Sequence, residues 1–217
     1  MTIVMNAQKS IEKNCFILYG KENAGWGSCY IRRCRTQSEI EEEMIVKCLV
    51  LSTLSRRNAQ TPGFLRELAV AGVETAVMYE EDYHIEGCKG CTLCWLKTPG
   101  KCVVRDDFEL VFKEILNADV LICLSESKLG FVSYKLKNMI DRIIPLATPY
   151  LEIRDGECRH VPRYEKSPKL ALVYAGEENS GFLSEWLGCV AKNLTGASLG
   201  AHHYTERQVL IDAINNI

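Results

Sequence analysis

The segment IVKCLVLSTLSRRNAQTP, residues 45–62, decides how the chain folds. Its first eight residues, 45–52, are almost all apolar, as in a strand covered on both faces. A polar loop, TLSRRNAQT, follows. A helix is expected to open near Thr61-Pro62, because proline is tolerated in a first helical turn. Leu65, Leu68 and Ala69 mark its inner stripe and Gly72 its end.

Outward from this unit the same alternation repeats. VETAVMY (73–79) reads as a second strand. DDFELVFKEILNA (106–118) puts Phe108, Val111, Phe112, Ile115 and Leu116 on one helical face, and Asp106 with Glu109 approximates a capping box. DVLICLS (119–125) is the third strand, SESKLGFVS (125–133) a loop, and the next helix carries Leu136, Met139, Ile140 and Ile143 inward before Pro145 stops it. KLALVYAG (169–176) is the fourth strand; the helix at 181–194 packs Leu183, Leu187, Val190 and Leu194. A short strand near 199–204 and a last helix over 206–217 complete the pattern. This order predicts an α/β protein in three layers, with a doubly wound parallel five-stranded sheet between helices. Ligands of such sheets bind beyond the carboxyl ends of the strands, here the loops 52–61, 125–133 and 175–181.

Residues 1–44 read as an N-terminal extension, an edge element or an oligomer arm, ahead of a ligand-binding domain over 45–217. Cys29 and Cys34 are too loosely spaced to define a site, and Trp26 and Trp186 read as packing residues. Residues 145–168 carry Pro145, Pro149, Pro162 and Pro168 and read as a loop serving as a lid or dimer contact.

Composition narrows the function. A net charge of −2 with both signs mixed along the chain argues against a nucleic-acid binder. No apolar run is long enough to cross a bilayer, and the first residues lack a secretory pattern, so the expected compartment is the cytosol. Eleven cysteines, an odd number, then speak against a disulfide framework. Cys48 and Cys123 lie within apolar strands and read as packing residues.

Two segments carry chemistry. In the first loop, the helix N-terminus supplies unpaired N–H groups and a positive dipole end, suited to a phosphate. Ser55, Asn58 and Thr61 add donors, and Arg56 or Arg57 a compensating charge. Neither a Gly-x-x-x-x-Gly-Lys-Ser/Thr run nor a Gly-x-Gly-x-x-Gly run occurs here, and a plain polar turn fits the loop equally well. The second segment is Cys88-x2-Cys91-x2-Cys94-x7-Cys102. Close triplets of this kind wrap iron–sulfur clusters. Unligated thiols, zinc and a redox thiol pair stay open alternatives. Thr98-Pro99-Gly100 suits a type II turn that returns Cys102 to the other three.

These motifs resemble the flavodoxin-fold NAD(P)H-dependent FMN reductase family, and within it the iron–sulfur flavoproteins, over about 46–194. SRRNAQT (55–61) stands where relatives carry a Ser-Pro-Arg-Lys-Asn-Gly-Asn-Thr type loop. CKGCTLCWLKTPGKCVVRDD (88–107), SESKLGFVSYKLKNMIDRIIPL (125–146) and GECRHVPRYEKSPKLALV (156–173) carry the rest. The resemblance implies FMN phosphate on Ser55, Arg56, Asn58, Gln60 and Thr61. It implies the flavin ring against Ser125, Glu126, Ser127, Lys128, Leu129 and Gly130, and near Gly176. It implies a 4Fe–4S cluster on Cys88, Cys91, Cys94 and Cys102 beside the flavin, NAD(P)H or a carrier protein as electron donor, and a homodimer or higher homo-oligomer. His160 and Arg163 would face the ligand.

The chain departs from the pattern at 125–130, where relatives have Thr-Pro-x-Tyr-Phe/Trp-Gly, and at Thr53-Leu54-Ser55, where they have Gly-Ser-Pro. Lys128 would offset the charge of Glu126 and stabilise a reduced anionic flavin. No side chain is expected to act as the chemical catalyst. A second reading keeps the fold and a metal or thiol site without flavin, in a binding, sensing or assembly role. His202 and His203 read as a polar strand end, and Asp141 with Arg142 as a local pair closing a helix.

Overall fold

A computed structural model describes residues 46–194 and 196–217. The expectations for residues 1–44, including Trp26, Cys29 and Cys34, lie outside the described residues.

Five strands lie parallel in the order β2-β1-β3-β7-β8. They are β1 (Lys47–Ser52), β2 (Glu74–Tyr79), β3 (Val120–Lys128), β7 (Lys169–Gly176) and β8 (Ser198–His203). The helices are α1 (Gln60–Val70), the single turn α2 (Leu93–Leu96), α3 (Phe108–Asn117), α4 (Tyr134–Arg142), α5 (Ser180–Leu194) and α6 (Arg207–Asn215). This is the flavodoxin-like doubly wound order, with its switch point between β1 and β3.

The pleat explains why the strands read as unbroken apolar runs. Cys48 and Val50 of β1, with Val120, Ile122 and Leu124 of β3, face a core built with Phe64 and Leu68 of α1 and Leu210, Ile211 and Ile214 of α6. The alternate residues Leu49, Leu51, Leu121 and Cys123 face the other core, which holds Phe108 and Ile115 of α3, Leu136 and Met139 of α4, and Leu183 and Leu187 of α5. Both faces are therefore dry. Each large side chain buried in this way contributes about 1.5–3 kcal/mol relative to exposure. Cys48 and Cys123 are packing residues whose thiols burial pushes up to about 12, far from thiolate chemistry.

Two expectations are corrected. Residues 125–133 are not a loop: β3 runs on to Lys128, turns at Leu129 and Gly130 (φ 54° and 74°), and pairs back with β4 (Phe131–Val132). Two positive-φ residues make a tight primed turn whose twist matches the strands. Residues 145–168 are likewise not a proline-marked loop. Beyond a 3-10 turn at Ile144–Leu146, β5 (Ala147–Arg154) and β6 (Glu157–Pro162) form an antiparallel hairpin around Asp155-Gly156, again with positive φ at both.

At the carboxyl end of β7, Gly176 has φ 115°, and a Cβ there would stand 2.5 Å from the Ser127 carbonyl oxygen of β3. The glycine is required by the close approach of two strand ends. Gly176→Ala should lower unfolding stability by about 1–3 kcal/mol, read as a fall in the urea midpoint at unchanged m-value; an unchanged midpoint would show that the strand ends part freely.

Candidate functional site

At the switch point the chain leaves β1 and crosses toward β3. The Thr53 amide donates to Leu124 O at 2.9 Å. The Thr53 and Ser133 hydroxyls meet at 3.1 Å, and the Ser125 hydroxyl donates to Ser133 Oγ at 3.1 Å. Ser133 also caps α4, accepting from the Leu136 amide at 3.3 Å. The Ser125 hydroxyl is thus spent inside the protein.

The loop between β1 and α1 is ordered by its own hydrogen bonds. Asn58 N–H donates to Ser55 O at 2.8 Å, and Asn58 Oδ1 accepts from the Gln60 amide at 2.8 Å. Among the described residues, no acceptor stands at the amides of Ser55, Ala59 or Thr61. Side-chain contributions divide. Thr61 is buried and its hydroxyl faces Ser52 Oγ at 3.0 Å, so of Thr61 only the amide remains for a ligand. Gln60 offers its carbonyl to the Tyr204 hydroxyl at 2.8 Å. Arg56 is turned away: its Nε–H donates to Asp82 Oδ1 at 3.2 Å, and the guanidinium lies 4.1 Å above the Tyr79 ring. The hydrogen bond to Asp82 raises its pKa further. The Arg56 amide donates to Glu81 Oε1 at 2.8 Å, so a carboxylate already holds one anion position. Nothing in the sequence spacing marked Glu81 or Asp82 for this part.

Across the switch point, the β3–β4 tip is clamped. Gly130 N–H donates to Glu177 Oε2 at 3.0 Å, and Asn179 Nδ2 donates to Gly130 O at 2.8 Å. Lys128 faces Glu126 at 3.2 Å, both largely exposed, which supplies the expected charge offset within the protein. Leu129 is 95% exposed, and Ser127 is buried with no partner for its hydroxyl.

The cysteine segment is held at both ends. Asp107 Oδ2 accepts from the His84 amide and Asp106 Oδ2 from the Glu86 amide, each at 2.8 Å. The expected capping box is half present: Asp106 Oδ1 accepts from the Phe108 amide at 3.2 Å, while Glu109 pairs with Lys101 and Lys113. The type II turn forms as expected, with Gly100 at φ 82° and the Lys101 amide donating to Thr98 O at 2.8 Å. Trp95 fixes the far side, donating to Ile144 O at 3.3 Å and packing at a tilt of 46° against His160 with ring centres 5.0 Å apart. His160 and Arg163, expected at a ligand, serve this scaffold; Arg163 donates to Pro145 O at 2.9 Å.

As a result Cys88, Cys91, Cys94 and Cys102 all line one cavity of about 150 Å³. Cys94 is buried, and Cys88 and Cys91 are exposed. Burial pushes the Cys94 thiol up, and the neighbouring Cys102, Cys88 and Cys91 sulfurs add to the shift. Among the described residues, no three His, Cys, Asp or Glu side chains stand as a ready single-ion site. The two histidines at the end of β8 bond locally, His202 with Leu199 O and His203 with Thr205 Oγ1.

Arg142 lines the same cavity and is 1% exposed. It does not pair with Asp141, which bonds Lys137 one helical turn back. It turns inward instead: Nη1 donates to Glu86 O and Asp106 Oδ2, each at 2.7 Å, and Nη2 to Asp106 Oδ1 at 2.9 Å. Its Nε–H has no partner. Burial opposes the charge on Arg142, but the Asp106 hydrogen bonds and the nearby Cys102 sulfur outweigh it and hold the pKa above the usual arginine value. Asp106 is likewise desolvated, yet the bonds from Arg142 hold its carboxyl below the usual range.

No protein-family model matches the chain. An iron–sulfur flavoprotein of Methanocaldococcus jannaschii is 33% identical over 105 residues, covering 46% of this chain and 53% of that protein. An iron–sulfur flavoprotein of Archaeoglobus fulgidus is 36% identical over 76 residues, covering 35% of this chain and 36% of that protein. The chain therefore spans about half, or less, of the length of these curated relatives. Over part of its length the chain is thus similar to iron–sulfur flavoproteins. At the level of fold, it superposes on RosB with bound 8-demethyl-8-formylriboflavin-5'-phosphate at TM-score 0.52 and 18% identity, covering 73% of this chain and 64% of RosB. It also superposes on an NAD(P)H:quinone oxidoreductase of Methanothermobacter marburgensis at TM-score 0.51 and 12% identity, covering 79% of this chain and 94% of that one.

The Asp106–Arg142 pair is the brace of the cysteine segment. Asp106→Asn leaves a buried guanidinium without its counter-charge and should cost about 3–5 kcal/mol, measured by urea unfolding. The folded pKa of Asp106 lies below its unfolded value of about 3.9. Its stabilising contribution is therefore complete above that pH and fades as pH falls through the folded value. The wild type should lose this share of its stability only at acid pH, and D106N should show a flatter acid limb. An equally steep limb in D106N would place the acid sensitivity on other carboxylates.

Proposed function

We propose that the chain is an FMN-dependent oxidoreductase or electron-transfer flavoprotein that also holds a 4Fe–4S cluster on Cys88, Cys91, Cys94 and Cys102. The observation that carries the flavin reading is the set of partnerless amides of Ser55, Ala59 and Thr61 where β1 passes into α1. Three N–H groups at a helix N-terminus suit a phosphate monoester. The Ser55 hydroxyl lies on the same loop. FMN, when bound, supplies the hydride and single-electron chemistry, and the protein supplies orientation and electrostatics. The clamped β3–β4 tip would fix one wall for the ring, with Glu126 and Lys128 setting the local charge. No side chain need donate or remove a proton for this task.

The cysteine cavity fits a cluster on two counts. Four thiols line it, and its wall contains a buried N–H, on Arg142, with no acceptor. Cluster sulfur accepts such bonds. The family likeness and the names of the relatives support both cofactors. NAD(P)H or a reduced carrier protein as donor, a cytosolic setting and a homo-oligomeric assembly complete the proposal.

One observation favours a second reading, a relative with a metal or thiol site but no flavin: Glu81 already occupies the Arg56 amide, and Asp82 holds the Arg56 side chain. Anaerobically purified protein separates the two. Bound or readily taken-up FMN, with stoichiometric iron and sulfide, is expected. A colourless protein that refuses added FMN removes the flavin, and iron without sulfide, or zinc, removes the cluster. Ser55→Asp should weaken FMN binding at least about tenfold, or 1.4 kcal/mol, in a fluorescence titration. Cys94→Ser should abolish the iron–sulfide absorbance and leave flavin uptake in place; persistence of that absorbance would put the iron elsewhere.

A further inference from the structure

The cysteine cavity contains one polar group that neither fold nor ion pair explains. Arg142 spends Nη1 and Nη2 on Asp106 and Glu86. Its guanidinium plane packs 4.6 Å from the Phe108 ring. These contacts fix the side chain, and Asp106, also 1% exposed, balances its charge. Nε–H is then left buried and without an acceptor, in a residue that lines the cavity with all four cysteines. A purely structural arginine would be expected to satisfy this donor, because an unpaired buried N–H costs about 1–3 kcal/mol. The cost makes sense if an acceptor arrives with a ligand.

We propose that Arg142 is the tuning residue of the cluster: its Nε–H donates a hydrogen bond to a cluster sulfur or to the Cys102 thiolate and raises the reduction potential. This rests on the cluster reading above. The physics is direct. Reduction adds negative charge to the iron and sulfur atoms. A fixed N–H dipole beside a cationic guanidinium stabilises that charge more in the reduced state than in the oxidised one. The low-dielectric pocket and the Asp106 bidentate hold the donor in place, so little reorganisation is needed when the electron arrives. Electrons held at a higher potential are delivered to acceptors of higher potential, so Arg142 sets which partners the cluster can serve.

The test uses the holoprotein. Protein grown with arginine labelled with nitrogen-15 at Nε is reduced and examined by pulsed EPR. A resolved nitrogen-15 coupling at the cluster is expected. The double variant Arg142→Gln/Asp106→Asn removes donor and counter-charge together, which avoids a buried unpaired ion. It should retain stoichiometric iron and sulfide, lose the coupling, and show a cluster at least tenfold harder to reduce, about 59 mV for a one-electron couple. A clustered wild type without nitrogen-15 coupling overturns the tuning role and leaves the cluster standing. A clustered double variant within twofold of the wild-type reduction equilibrium does the same. If the double variant fails to assemble, the labelled wild type alone decides. Wild-type protein without iron and sulfide overturns the cluster reading, and the tuning role falls with it.

Discussion

The corner proposed for the flavin hangs on the seam between β1 and β3. Both strands are buried on two faces, so their hydrogen bonds cannot be traded for water, and their carboxyl ends are fixed to one another. The Thr53 amide closes the seam on Leu124 O; beyond it the chain after β1 leaves the sheet, while β3 runs on to Lys128. The loop 53–59 and the strand end 125–128 are therefore held side by side. The amides of the first and the polar surface of the second keep their places because the core behind them is packed on both faces.

The cysteine segment needs a different anchor, since it belongs to no strand. It follows β2 and has only the single turn of α2 to stiffen it. Its order comes from carboxylates. Asp106 and Asp107, at the entry to α3, accept the amides of Glu86 and His84, and Arg142 at the end of α4 grips Asp106. The pair is fully desolvated, and such a pair is seldom a net gain over well-packed apolar groups. Its presence is better understood as specification: it registers α3, α4 and the loop base against one another and leaves Arg142 in the cavity wall.

The sequence made the layers legible because burial on both faces writes itself as unbroken apolar runs. The strands at 47–52 and 169–176, and the cysteine spacing with its Thr98–Gly100 turn, could be read directly. The two hairpins were harder. Asp155-Gly156 is a primed-turn signal standing in plain view, but the prolines on either side suggested a loop. Leu129-Gly130 carries no such signal, because leucine is an unusual occupant of positive φ, and tertiary clamping by Glu177 and Asn179 holds it there. The Asp106–Arg142 pair spans 36 residues, and no local pattern could announce it. Local spacing instead suggested Asp141–Arg142, a pair the fold does not make.

The same reasoning weighs the two forces acting on the β1–α1 corner. Glu81 and Asp82 stand where an anion would compete, and taken alone they argue against a phosphate. Both contacts are exposed, however, and exposed ion pairs are weak and screened by salt. The amides of Ser55 and Ala59 lie in the loop between β1 and α1 and that of Thr61 in the first turn of α1, and as backbone groups their direction does not depend on any side-chain rotamer. An exposed carboxylate contact is weakly held, whereas backbone donors at a helix start persist. On the proposed reading, a multiply charged anion that meets several amides together would displace a lone carboxylate that meets one.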